Sequence, residues 1–262
     1  MMTRFTILLA AHNRLALLQQ SIASALAEIG DQDEVLVIDD GSGEETRDWL
    51  AAEAAAHPGL RVIHQVNQGV AAARANGVKE AAGEFIFILD SDDQVEAGAL
   101  AKVAETFAAS PEIDLLYGNN LHVFPDGTEH LRRYQQYPSN QKFLRATFVS
   151  PRVPFKHSGT SFRRATALEL GNYDASLPIK IDVDFFLKFM HRNRVLRHID
   201  AALVRFQVHG EMMSRNRAKG IATWMLLIDR YGPRNPIARG YMKLCRAGSE
   251  RLKGIYESLR RR

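Results

Sequence analysis

Cysteine is almost missing from this chain: Cys245 is the one thiol in 262 residues. That excludes an internal disulfide and a cysteine-built zinc cluster, and it suits a reducing cytoplasm. Long hydrophobic runs are missing as well. The N-terminal "FTILLAA" is interrupted by His12, Asn13 and Arg14, too early for a membrane span or a secretory signal, so a soluble protein is expected. No linker rich in proline, glycine or serine divides the chain, and no internal repeat is visible. The nine histidines form no metal-ligand spacing.

What is present is ordinary globular material, 46% hydrophobic and 24% charged, enough for one large core or two small ones. The net charge of +4 hides an asymmetry. Arg215 to Arg262 holds 13 Lys+Arg against 3 Asp+Glu, while the remainder holds 21 against 27. A basic tail on an acidic body implies either an anionic partner or a solvated helical face.

Short apolar runs alternate with helical patterns through the first hundred or so residues: "FTILLA", "EVLVIDD", "RVIHQV" and "EFIFILD" each precede a helix-like stretch. Four such alternations predict an α/β fold, a parallel sheet with crossover helices on both faces. Ligands of such sheets lie beyond the carboxyl ends of the strands. Asp39-Asp40, Asn67-Gln68 and Asp90-Ser91-Asp92-Asp93 all fall there. Beyond Ser110 the pattern is less regular and reads as an α+β addition.

Three carboxylates in four positions at the end of "FIFIL" repel one another unless something positive compensates them. Asp90 and Asp92 can converge on one point, and hard oxygen ligands suit Mg²⁺ or Mn²⁺ held with a diphosphate. The alternative is that Asp92 or Asp93 caps a helix beginning near Glu96. An EF-hand is excluded, since Val95 and Ala101 stand where Gly and Glu are needed. "IDDGSGEET" fails as a dinucleotide fingerprint at Thr46, and Glu44 and Glu45 would repel a pyrophosphate. Asp39 or Asp40 can instead accept hydrogen bonds from a base or ribose, or simply form the turn. Arg74 lies in a small, apolar helical stripe with Val70, Gly77 and Ala81, so its guanidinium needs an anionic partner, a nucleotide or an internal Asp such as Asp40. In "IDVDFFLKFM", Asp182 shares a helical face with Phe185, Phe186 and Phe189 while Asp184 points elsewhere; Asp182 suits a general base or an N-cap. His209 follows a strand-like run and is a candidate third metal ligand or a structural histidine.

Taken in order, these segments resemble family 2 glycosyltransferases, inverting enzymes with the GT-A fold. "VIDDGSGEET" resembles that family's nucleotide-binding strand end. "NQGVAAARANGVKEAAGEFIFILDSDD" resembles its central run, matching at Asn67, Gly69, Ala73, Arg74 and Asn76 and then at the Asp-x-Asp element, Asp90 and Asp92. "SFRRATALELGNYDASL" resembles the segment leading to the acceptor. Asp182 falls on the family's catalytic base, and "VRFQVHGEMMS" on its later Arg-and-His element, which includes His209. Two departures stand out: Ala10 and His12 replace the usual Pro and Tyr of the N-terminal motif, and Ile181 replaces the Glu of a Glu-Asp pair.

The resemblance implies a catalytic domain over 1–214, with donor half 1–110 and acceptor half 111–214, followed by a basic helical extension, 215–262. A nucleotide-diphosphate sugar is the expected donor, contacted by Ala10, Asp39, Asp40, Asn67, Arg74 and Asp90. Asp90, Asp92 and His209 are the expected ligands of Mn²⁺ or Mg²⁺, and a saccharide or lipid-linked glycan is the expected acceptor. In the tail, Trp224, Met225, Leu227 and Ile228 lie among cations, a mix that suits an anionic membrane or a helix packed on the body; nucleic acid is not the expected partner. A sugar nucleotidyltransferase would carry a glycine-rich first loop, which "AAHNRLALL" lacks. A binding scaffold that keeps the fold is the alternative from another class.

Overall fold

The computed structural model describes residues 5–208 and 217–259. Its first half follows the predicted alternation. Strand β1 (Phe5–Ala11) leads into helix α1 (Leu15–Leu26), β2 (Glu34–Asp40) into α2 (Glu44–Ala56), β3 (Leu60–Gln65) into α3 (Val70–Glu80), and β4 (Phe85–Ile88) follows. These strands lie in the order β3-β2-β1-β4, all parallel. All seven residues of β2 are buried, because helices cover both faces of the sheet. Leu36 and Ile38 face one hydrophobic cluster, Val35 and Val37 the other.

The second half comprises β5 (Gln94–Val95), α4 (Ala99–Ala109), β6 (Leu115–Val123), β7 (Glu129–Arg132), α5 (Asn140–Val149), β8 (Ser161–Arg163), α6 (Arg164–Glu169), α7 (Ile181–His191) and β9 (Leu196–Gln207). It extends the same sheet through β8, β6, β9 and β5, with β7 pairing β6. Here β8 runs antiparallel to both β4 and β6, whereas β6 and β9 are parallel, so the nine-stranded sheet is mixed beyond β4. Strand β5 intervenes after the aspartates. Helix α4 therefore starts at Ala99, behind left-handed Gly98, and Asp93 is not its cap.

Two close approaches fix the parallel half. A Cβ on Gly77 would lie 2.3 Å from Leu8 Cδ1, so its lack of a side chain lets α3 settle against β1. Glu34 is buried and accepts from Thr6 Oγ1 at 2.7 Å, the Ala82 amide at 2.6 Å and Arg61 Nε at 3.0 Å. Burial works to raise its pKa, but Arg61, Thr6 and Ala82 together hold it below the usual value.

Helices α8 (Arg217–Tyr231) and α9 (Pro236–Leu259) form a hairpin against the body. Trp224, Leu227 and Ile228 are fully buried in the core that also contains Phe186 and Phe189. The apolar side chains of α8 that suggested a membrane face are thus packed inside. No helix among the described residues is long and apolar enough to cross a membrane.

Candidate active site

Four strand ends converge on one edge, and the space between them is a cavity of about 440 Å³, within the ordinary size range for small-ligand sites. Ala10, Asp40, Asn67, Arg74, Asp90 and Asp92 all line it, joined by His12 and Arg14. Six of the residues singled out in the sequence therefore meet in one cavity.

Period-two alternation separates Asp39 from Asp40. Asp40 faces the cavity, and its carboxylate accepts the amides of Gln68 and Gly69, each at 2.8 Å, and Gln65 Nε2 at 2.8 Å. It thereby fixes the turn that carries Asn67. Asp39 is fully buried on the opposite side, accepting from Ser42 N at 3.0 Å and pairing with His64 Nδ1 at 2.8 Å. Burial opposes ionisation there, yet Ser42 and His64 keep the Asp39 pKa low. Asp39 lies outside the cavity lining and braces the turn. At Gly41, φ is +76° and a Cβ would sit 2.8 Å from the Asn67 amide, so the strand end requires glycine. His12 donates through Nδ1 to the Asp40 carbonyl at 2.9 Å, and its ring lies against the Asn67 amide.

The acids find different partners. Arg74 donates to Asp90 at 2.5 Å, which answers the question raised by its apolar stripe: the partner is Asp90, not Asp40. Burial would raise the Asp90 pKa, but Arg74 chiefly, helped by His157 and Lys156, holds it far below the carboxylate range. Asp92 pairs with Arg14 at 3.4 Å. Asp93 is fully buried and accepts from the Gln207 amide at 3.2 Å. Burial, reinforced by the charges of Asp90 and Asp92, pushes its pKa up to about 8. Two arginines, Arg74 on Asp90 and Arg14 on Asp92, thus supply positive charge to the triplet. Carboxylate oxygens of the three aspartates nevertheless lie within 4.8 Å of one another. A hard, all-oxygen donor set of this kind fits Mg²⁺ or Mn²⁺. His209 lies outside the described residues.

Helix α7 starts behind Lys180, whose backbone is left-handed, so Asp182 is its second residue and not its N-cap. Asp182 is part-exposed, and its charge is felt by His157, Tyr173 and Lys180. His157 and Tyr173 are buried and joined at 2.8 Å, with His157 Nδ1 3.8 Å from Asp90. They stand between the donor acids and Asp182. Asp184 is fully buried, accepting from Tyr231 OH at 2.8 Å and Arg230 at 3.0 Å, with Lys188 at 3.1 Å. It fastens α8 to α7.

Sequence reading missed Arg14, His157 and Tyr173. Arg14 had a signal, since it follows a strand end on the ligand edge. His157 had none: "FKHSGTSF" reads as a strand, and the loop before β8 curls the ring back under Asp90.

A parallel βαβ half with its ligand cavity at the strand ends, extended by a mixed half carrying a second acidic helix, is the GT-A architecture. Solved structures agree: mannosyltransferase PcManGT from Pyrobaculum calidifontis, in complex with GDP-Man and Mn²⁺, has a TM-score of 0.68 at 16% identity over 96% of this chain and 74% of that one. S. aureus TarS 1–349 in complex with UDP-GlcNAc has a TM-score of 0.67 at 17% identity, over 92% of this chain and 70% of that one. Residues 6–171 match the profile of glycosyl transferase family 2, and the chain belongs to that family. Among curated relatives, the uncharacterized glycosyltransferase YibD of Escherichia coli K12 is 25% identical over 71% of this chain and 56% of its own length. Chondroitin synthase of E. coli is 26% identical over 80% of this chain and 29% of its own length. The chain thus spans about half, or less, of these relatives.

Proposed function

We propose that this protein transfers a sugar from a nucleotide-diphosphate sugar to a hydroxyl acceptor with inversion of configuration, in the synthesis of a polysaccharide or glycolipid. The observation that carries this reading is the gathering of Asp90 and Asp92 with Asp40 and Asn67 in the lining of one nucleotide-sized cavity. The UDP and GDP sugars held by TarS and the mannosyltransferase support the donor class.

Asp40 and Asn67, backed by His12, face the nucleoside, and Ala10 leaves room beside them. Arg74 holds Asp90 ionised and aimed into the cavity. Asp90 and Asp92, with His209 as a third ligand, would hold Mn²⁺ or Mg²⁺, which supplies charge stabilisation to the departing diphosphate when bound. Asp182 accepts the proton of the acceptor hydroxyl as that oxygen attacks the anomeric carbon and the bond to the diphosphate breaks. One displacement inverts the configuration. The acceptor is a saccharide or lipid-linked glycan, with peripheral contact to an anionic membrane through the basic C-terminal region.

A thermal-shift screen of UDP-, GDP-, dTDP- and CMP-sugars with and without Mn²⁺ tests the reading. Metal-dependent stabilisation by one nucleotide class is expected. No stabilisation by any donor under any metal condition would favour a binding scaffold.

A further inference from the structure

Helix α9 buries two charged side chains alongside Met242 and leaves a row of apolar ones in water. Its inward face carries Arg246 and Glu250, 1% and 2% exposed. The Arg246 guanidinium lies 3.9 Å over the Trp224 ring and none of its nitrogens makes a hydrogen bond. Its outward face carries Ile237, Tyr241, Leu244 and Leu252, the first 82% and the third 72% exposed. These positions follow spacings of four, three and eight and therefore form one stripe along the helix. Each large apolar side chain left in water forgoes about 1.5–3 kcal/mol. A stripe of four signals a partner.

The rim of the stripe identifies the partner's charge. Arg145 of α5 is near enough to Tyr241 for its charge to be felt there. The Ser249 hydroxyl donates to the Pro151 carbonyl, which brings Arg152 alongside, and Arg251 flanks Leu252 on the helix itself. All three arginines are exposed, and none pairs with a carboxylate among the described residues. A second copy docking through the same stripe would set these cations against their own counterparts. An anionic lipid surface is complementary to both the stripe and its rim.

We propose that the outward stripe of α9, with Arg145, Arg152 and Arg251, seats this protein on an anionic lipid bilayer. Lys180 links the inward face of α9 to the site, because it packs between Glu250 at 3.7 Å and Trp224 at 5.0 Å, two residues before Asp182. Resting on the transfer reading above, this ties the membrane-seated helix to the acceptor end of the site, an arrangement suited to a lipid-linked glycan.

The test is flotation of the full chain with phosphatidylcholine vesicles, with and without about one-third phosphatidylglycerol. The wild type is expected to float with the anionic vesicles only, and raised salt should release it. Leu244→Glu/Leu252→Glu should lower partitioning at least about tenfold with an unchanged unfolding midpoint. Arg145→Glu/Arg152→Glu should weaken binding without touching the stripe. Equal partitioning of wild type and Leu244→Glu/Leu252→Glu overturns the proposal, as does a wild type that ignores anionic vesicles. A dimer in light scattering that the leucine variant splits would overturn it too. Donor stabilisation is read separately. Flotation without donor binding sinks only the transfer reading, and donor binding without flotation sinks only this one.

Discussion

Asp182 and Asp184 stand two residues apart in the first turn of α7, and the same chemical change should do opposite things to them. Asp184→Asn removes a buried charge that faces Arg230 at 3.0 Å and Lys188 at 3.1 Å. Breaking a buried pair from one side costs about 3–5 kcal/mol. Arg230 retains Asp174 at 2.8 Å and the new amide can still accept from Tyr231, so the lower end, about 3 kcal/mol, applies. For a chain of this size that corresponds to a fall of about 6–12 °C in Tm. Transfer measured well below the new Tm should stay near wild type. Asp182→Asn, part-exposed, should leave Tm within about 2 °C yet slow transfer by about 10²–10⁴-fold, the usual contribution of a general base. Donor binding should persist in both. Calorimetry and a transfer assay on the two variants settle the matter: loss of transfer without loss of stability at position 184, or near-normal turnover at 182, refutes the assignment.

Asp92→Ala should abolish the dependence of donor-induced stabilisation on Mn²⁺ while donor-free stability changes little; an unchanged metal titration removes Asp92 from the ligand set. Gly41→Ala forces a side chain into a left-handed backbone and against the Asn67 amide, costing about 1–2 kcal/mol in the backbone alone. Donor affinity should fall with it, and both are read in one thermal-shift titration. Glu34 has its pKa depressed in the folded state, so its contribution is present above the unfolded value of 4.5 and is lost as pH falls through the lower folded one. Glu34→Gln should therefore flatten the acid limb of a denaturation-versus-pH profile below pH 4.5, and an unaltered limb would show that the buried carboxylate plays no part.

The parallel half was legible because its signals are local. A fully buried parallel strand must be a continuous apolar run, so β2 and β4 announce themselves, and the polar residues that follow must lie on the ligand edge. That logic located Asp40, Asn67, Asp90 and Asp92. It could not separate Asp39 from Asp40, because one residue of register decides which faces the cavity. Nor could it separate the uses of the tail. Trp224 and Leu244 both sit among arginines in the sequence, but only packing reveals that the first is core and the second is surface. His157 reaches Asp90 across 67 positions of chain, a distance over which periodicity carries no information.

β4 is the seam of the molecule. It is hydrogen-bonded to β1 on one side and to β8 on the other, so a single unbroken ladder runs from the parallel half into the mixed half. A clamshell movement about this line would break backbone hydrogen bonds on both flanks. The sheet is therefore a rigid bench, and any shielding of the cavity from water has to come from loops above it. Diversification follows the same constraint: new donors and acceptors can be taken on by changing those loops while the bench, and the aspartates mounted at its centre, stay where they are.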